Sequence, residues 1–159
     1  MRFRRALGLV TIVVGTVGSL LLGAGPAAAA NPPPTAAPKG IVVVDPTNPN
    51  QAYVQATYTC YGGTANGENH LWVSVKQGSG DLSQEGSSSI ATAWYDAHPS
   101  NRTCNGKSQT TVFTIFREPG WAQLVPGSGY MQFCLIPTTG PPAIVNLTVA
   151  VVRPGYHPS

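Results

Sequence analysis

The sequence is short of charge. Asp, Glu, Lys and Arg make up only 9% of its 159 residues, too little for a disordered chain kept open by self-repulsion. It also lacks any apolar pattern of 3.6-residue period longer than two turns, so no long amphipathic helix is expected. The chain has no internal repeat. Chemical motifs are missing too. There is no Gly-x-Ser-x-Gly elbow, no Ser-x-x-Lys pair, no phosphate-cradling glycine loop and no spacing typical of metal ligands. No catalytic residue, no cofactor and no metal site is predicted, and the chain is read as a non-enzyme.

What is present is apolar residue and turn former. Apolar side chains make up 42% of the chain, with 18 Gly and 15 Pro, a composition that suits short strands joined by tight turns. The first 30 residues run MRFRR, ALGLVTIVVGTVGSLLLGAG, PAAAA. This basic, apolar, small-residue order predicts a secretory signal peptide cleaved after Ala30. Loss of Arg2, Arg4 and Arg5 leaves six basic residues facing six acidic ones. The mature chain is then neutral and has no basic footprint for nucleic acid. Secretion into the extracellular space is expected, with no membrane attachment once the signal is removed.

Residues 31–39, NPPPTAAPK, read as a polyproline-like linker, and residues 40–159 as one folded domain. Seven β-rich runs punctuate that domain: 41–45, 52–60, 70–77, 88–96, 108–117, 130–136 and 143–153. Several alternate strictly. Val54, Ala56, Tyr58 and Cys60 share one face, as do Leu71, Val73 and Val75, and Val145, Leu147, Val149 and Val151. The expected fold class is all-β, an immunoglobulin-like antiparallel β-sandwich of about seven strands.

The stretches IVVVDPT, YVQATYTC, HLWVSVKQG, TCNGK, TTVFTI and VNLTVAV resemble a group of small secreted actinobacterial domains of uncharacterised function. The most specific segments are Tyr58-Thr59-Cys60, Val75-Lys76-Gln77 and the Cys104-Asn105-Gly106 turn, whose middle residue in the family pattern is Asp. The resemblance implies the immunoglobulin-like sandwich and a disulfide between Cys60 and Cys104. It implies no activity.

Three cysteines in an exported chain predict one disulfide and one free thiol. Loop entropy separates the Cys60–Cys104 and Cys60–Cys134 pairings by only about half a kcal/mol. The 12-residue step from Cys60 to Trp72 resembles immunoglobulin spacing and favours Cys134. Strand phase favours Cys104, because Cys134 and Trp72 both fall on the faces opposite their apolar neighbours. Both pairings stay open, with Cys60 and Cys104 preferred, and Cys134 is then read as a small buried hydrophobe.

Two carboxylate-histidine pairs, Glu68-Asn69-His70 and Asp96-Ala97-His98, are the nearest approach to a titratable site, and both are read as strand-end loop residues. The stronger signal is aromatic. Trp72, Trp94, Tyr95 and Trp121 lie in or beside strands among Asn, Gln and Thr, a combination suited to stacking on sugar rings. The expected function is non-catalytic binding of an extracellular glycan or cell-wall polymer. The alternative is a protein-interaction or inhibitor domain acting through loops such as 77–88 or 61–69.

Overall fold

A computed structural model describes residues 31–62, 69–83, 87–100, 102–138 and 140–155, except for the side chains of Asn69 and Ser88. Among the described residues there are seven strands: β1 Thr35–Val44, β2 Gln51–Thr59, β3 Asn69–Gly78, β4 Ala91–Ala97, β5 Gln109–Arg117, β6 Gly127–Pro137 and β7 Ala143–Val152. The chain is all-β. Its strands do not stand as two open sheets, as a simple sandwich would have them. They close into a barrel in the order β1-β2-β5-β4-β3-β6-β7.

Closure depends on β1 and β4, which make its shortest pairings. β1 pairs antiparallel with β2, from Thr35 opposite Thr59 to Val44 opposite Ala52, with a register shift between Pro38 and Val42. Beyond that shift Ile41–Val43 also pairs, in parallel, with Ala150–Val152 of β7. A bulge of this kind bends a strand and re-aims it, which lets β1 reach both partners. β4 pairs with β3 from Ala91 to Ala97 and touches β5 only at Tyr95–Arg117 and Asp96–Phe116. Closure pairs the strand edges that would otherwise be open to another chain.

Two boundaries differ from the sequence expectation. Residues 35–39, expected as linker, are the first half of β1. Pro38 is tolerated there because this half pairs on one side only, with β2, so its missing N–H interrupts no second ladder. Residues 88–90, expected to open a strand, belong instead to a 3-10 turn, Ser87–Ile90. It lies over Gly78, where an added Cβ would collide with the Ile90 carbonyl oxygen.

The interior is filled by the alternating sets. Val42, Val44, Val54, Val73, Val75, Phe113, Ile115, Met131, Phe133 and Leu135 are all buried. Phe113 sits between Tyr58 and Phe133, with ring centroids 5.8 and 5.7 Å away, and so joins β2, β5 and β6 across the core. The buried Gln77 amide is satisfied: Nε2 donates to the carbonyls of Val125 and Ser128 at 2.8 and 3.1 Å, and Oε1 accepts from Val125 N at 2.8 Å. That anchors the segment leading into β6.

The disulfide joins Cys60 and Cys104, with Cα atoms 4.4 Å apart. It ties the end of β2 to the turn before β5. Gly106 occupies the left-handed region at φ +77°, where a Cβ would press into the Tyr61 ring. Asn105 Oδ1 accepts from Lys107 N at 3.0 Å, the same short-range bond an Asp would make in that place. Cys134 is free and buried.

Candidate aromatic and histidine face

The residues of interest meet on the outer surface of β7, β6, β3 and β4. On β3, Leu71, Val73 and Val75 point inward, so Trp72, Ser74 and Lys76 take the outer face. On β4, Ala93 and Tyr95 are buried and Trp94 and Asp96 face outward. Register places them in rows. Thr148, Tyr130, Lys76 and Trp94 form one; Asn146, Gln132, Ser74 and Asp96 form the next. Trp72 lies in a third row beside Cys134, about 13 Å along the strands from the Trp94 row.

The first aromatic group is Trp94 with Trp121. Their rings meet edge to face at 5.7 Å and 73°, the geometry the ring quadrupole favours. Trp94 Nε1 donates to Ser74 Oγ at 2.9 Å, which also satisfies a buried hydroxyl. Lys76 Nζ stands 5.3 Å from the Trp94 ring centroid and donates to Ser87 Oγ at 3.0 Å. Its partial burial lowers the amine's pKa from the ordinary lysine value. The loop after β5 is strapped to β4 by Ala122 N to Thr92 O at 3.1 Å and Glu118 N to Trp94 O at 2.9 Å, and to the end of β5 by Arg117 Nη1 to Trp121 O at 2.9 Å. Gly120, at φ +86°, makes the turn that presents Trp121.

The second group is Trp72 with the histidines. The Trp72 and His98 rings are nearly parallel, at 13° with centroids 6.3 Å apart. Trp72 Nε1 donates to Asp96 Oδ2 at 3.2 Å, and Glu118 is hydrogen-bonded to Asp96. That bond, with burial and the Asp96 charge, raises Glu118 above its usual carboxylate pKa. His98 Nδ1 and His70 Nε2 are 3.1 Å apart. Burial, followed by the charges of His98 and Arg102, lowers the His70 pKa.

The sequence-predicted site residues therefore separate. Trp72, Trp94 and Trp121 are all half-buried on one face. Tyr95 does not join them. It is fully buried, and its hydroxyl donates to Pro49 O and accepts from Leu124 N, because its strand position is adjacent to Trp94 and points the opposite way. Trp94 is covered from outside by Trp121 and Lys76. His70 and His98, read as unrelated loop residues, are in contact. The i, i+2 spacing of Asp96 and His98 was the signal for this. The pairing of β3 with β4 that joins them to His70 has no local signature. Glu68 and most of the 61–69 loop lie outside the described residues, as do 84–86 of the 77–88 loop. The described part of the latter, with Tyr130 and Thr148, borders a hollow of about 330 Å³. Among the described residues, no group of three or more His, Cys, Asp or Glu side chains is placed to hold a metal ion.

A scan against protein-family models and a search of curated proteins both find no match.

Proposed function

We propose that this is a secreted, non-catalytic binding domain whose β7-β6-β3-β4 face takes an extracellular glycan, such as a cell-wall polysaccharide. One observation carries the reading. All three tryptophans of the chain stand partly exposed on a single face, interleaved with Lys76, Gln132, Asn146 and Thr148. Tryptophan rings offer the apolar faces of sugars a flat, polarisable surface, and the polar groups between them match sugar hydroxyls. The rings are held by hydrogen bonds to Ser74 and Asp96, so little entropy is lost in ordering them on binding.

The fold proposed with it is immunoglobulin-like, as in the small secreted actinobacterial domains that the sequence resembles. Support comes from strand adjacency: β2 with β5, β3 with β6 and β6 with β7 match the pairings of the immunoglobulin B, C, E, F and G strands. The disulfide fits an oxidising compartment, as export requires.

The test is retention of the purified protein on insoluble peptidoglycan, chitin and cellulose. Retention lost in Trp94→Ala and Trp121→Ala but kept in Phe116→Ala supports the reading. Absence of retention on all three polymers overturns it in favour of a protein partner.

A further inference from the structure

We propose that His70 and His98 form an open binding site for a divalent transition-metal ion, copper(II) in preference to zinc(II). The proposal does not rest on glycan binding. It begins from the 3.1 Å between His98 Nδ1 and His70 Nε2. Two imidazoles on one metal, with bonds of about 2.0–2.1 Å at angles between square and tetrahedral, place their nitrogens about 2.9–3.4 Å apart. The observed separation falls inside that span. The two rings are inclined at 42° with centroids 4.9 Å apart. At 3.1 Å one ring N–H donates to the nitrogen of the other ring, and a metal ion would take the place of that shared proton, which leaves to solvent.

The ligands sit on a rigid base. His70 is the second residue of β3 and His98 directly follows β4, and the pairing of Val73 with Ala97 sets their separation. The plane of His98 is matched by the Trp72 ring stacked near it, which Asp96 fixes through the indole N–H. A metal needs a neutral imidazole, and the lowered pKa of His70 favours that form near neutral pH. Of the nearby charges, Asp96 and Glu118 favour a cation and Arg102 opposes one, although its guanidinium is turned to the Pro99 carbonyl at 2.8 Å. Both histidines are exposed, so water completes the coordination. A two-imidazole, water-completed site is open and labile. Its affinities follow the general order for nitrogen donors, in which copper(II) exceeds nickel(II) and zinc(II). The sequence expectation was of no metal; the barrel creates the site by bringing His70 and the Asp96–His98 segment to one edge.

The experiment is titration of the purified protein with copper(II) chloride, and separately zinc(II) chloride, near neutral pH. Tryptophan quenching reports copper, and histidine ring signals in NMR report zinc. The expected result is saturation by one ion, copper bound more tightly, and histidine signals of residues 70 and 98 shifted together. His70→Ala and His98→Ala should each weaken binding by more than about tenfold, since removal of even an outer-sphere partner of a metal ligand costs that much. His157→Ala should bind as the unaltered protein does. Equal affinity in the unaltered protein and the double His70→Ala, His98→Ala variant overturns the proposal, as does zinc titration that leaves both ring signals unmoved. Because both histidines are exposed, circular dichroism of the variants separates loss of the site from loss of the fold. Glycan retention, measured with and without a chelator, is a separate readout.

Discussion

The outer surface of β2 and β5 and the outer surface of β3 and β4 obey the same period-two alternation, yet they carry different kinds of residue. On β2 and β5, Gln55 faces Val112 and Thr57 faces Thr110, with one hydroxyl pair at 2.9 Å. Val112 and Phe116 there are 55% and 49% exposed. On β3 and β4 the outward positions are Trp72, Ser74, Lys76, Trp94 and Asp96, and each is engaged by a hydrogen bond. The first surface carries few side-chain bonds, the Thr57–Thr110 pair and the Tyr53 hydroxyl on Asp45, and leaves Val112 and Phe116 open. The second spends polar groups on holding large rings in fixed positions, which pairing of strands does not require. That difference is the reason for assigning the proposed binding site to the β3–β4 side.

Three substitutions and one pH series put the comparison under strain. The largest effect should come from the residue beneath both surfaces. Phe113→Ala removes a ring packed on Tyr58 and Phe133, and should cost about 3–5 kcal/mol in chemical denaturation. A loss under about 1 kcal/mol would mean that the two sides do not share one core.

Trp94→Ala should come next, lowering stability by about 1–2 kcal/mol through lost area, the Trp121 contact and an unpaired Ser74 hydroxyl. Phe116→Ala, its counterpart on the β5 surface, should stay within about 0.5 kcal/mol. Equal losses in paired thermal melts would erase the distinction between the faces.

The smallest effect is confined to acid. Asp45, in the β1–β2 turn, accepts from Thr47 N, Thr47 Oγ1 and Asn48 N at 2.7–2.9 Å and from the Tyr53 hydroxyl at 2.5 Å. These bonds, the Tyr53 one foremost, hold its carboxyl far below the ordinary Asp value of 3.8. A depressed folded-state pKa adds stability above the unfolded value and loses it as pH falls below that value. Stability should therefore decline from about pH 4 downward, and Asp45→Asn should flatten that limb. An unchanged acid limb in the variant would assign the decline to other carboxylates.

Much of this was readable in one dimension. Alternation in β2, β3, β6 and β7 named the buried face correctly, and it placed Trp72 and Cys134 opposite the apolar sets. Phase also favoured Cys60–Cys104 over the immunoglobulin-like spacing. Alternation misled where a run of aromatics was treated as one unit: Trp94 and Tyr95 are neighbours in sequence, and a strand sends neighbours to opposite sides. The prolines of residues 31–39 suggested a linker, because nothing local reveals that a strand will be paired on one side only.

Sequence alone determined the all-β class and the inward faces of β2, β3, β6 and β7, since these follow from side-chain period and turn chemistry within a few residues. Tertiary structure decided closure of the barrel, the packing of Trp121 on Trp94 and the meeting of His70 with His98. Those depend on which strands become neighbours and in what register. That choice is made by burial of the whole core at once, and no short stretch of sequence records it.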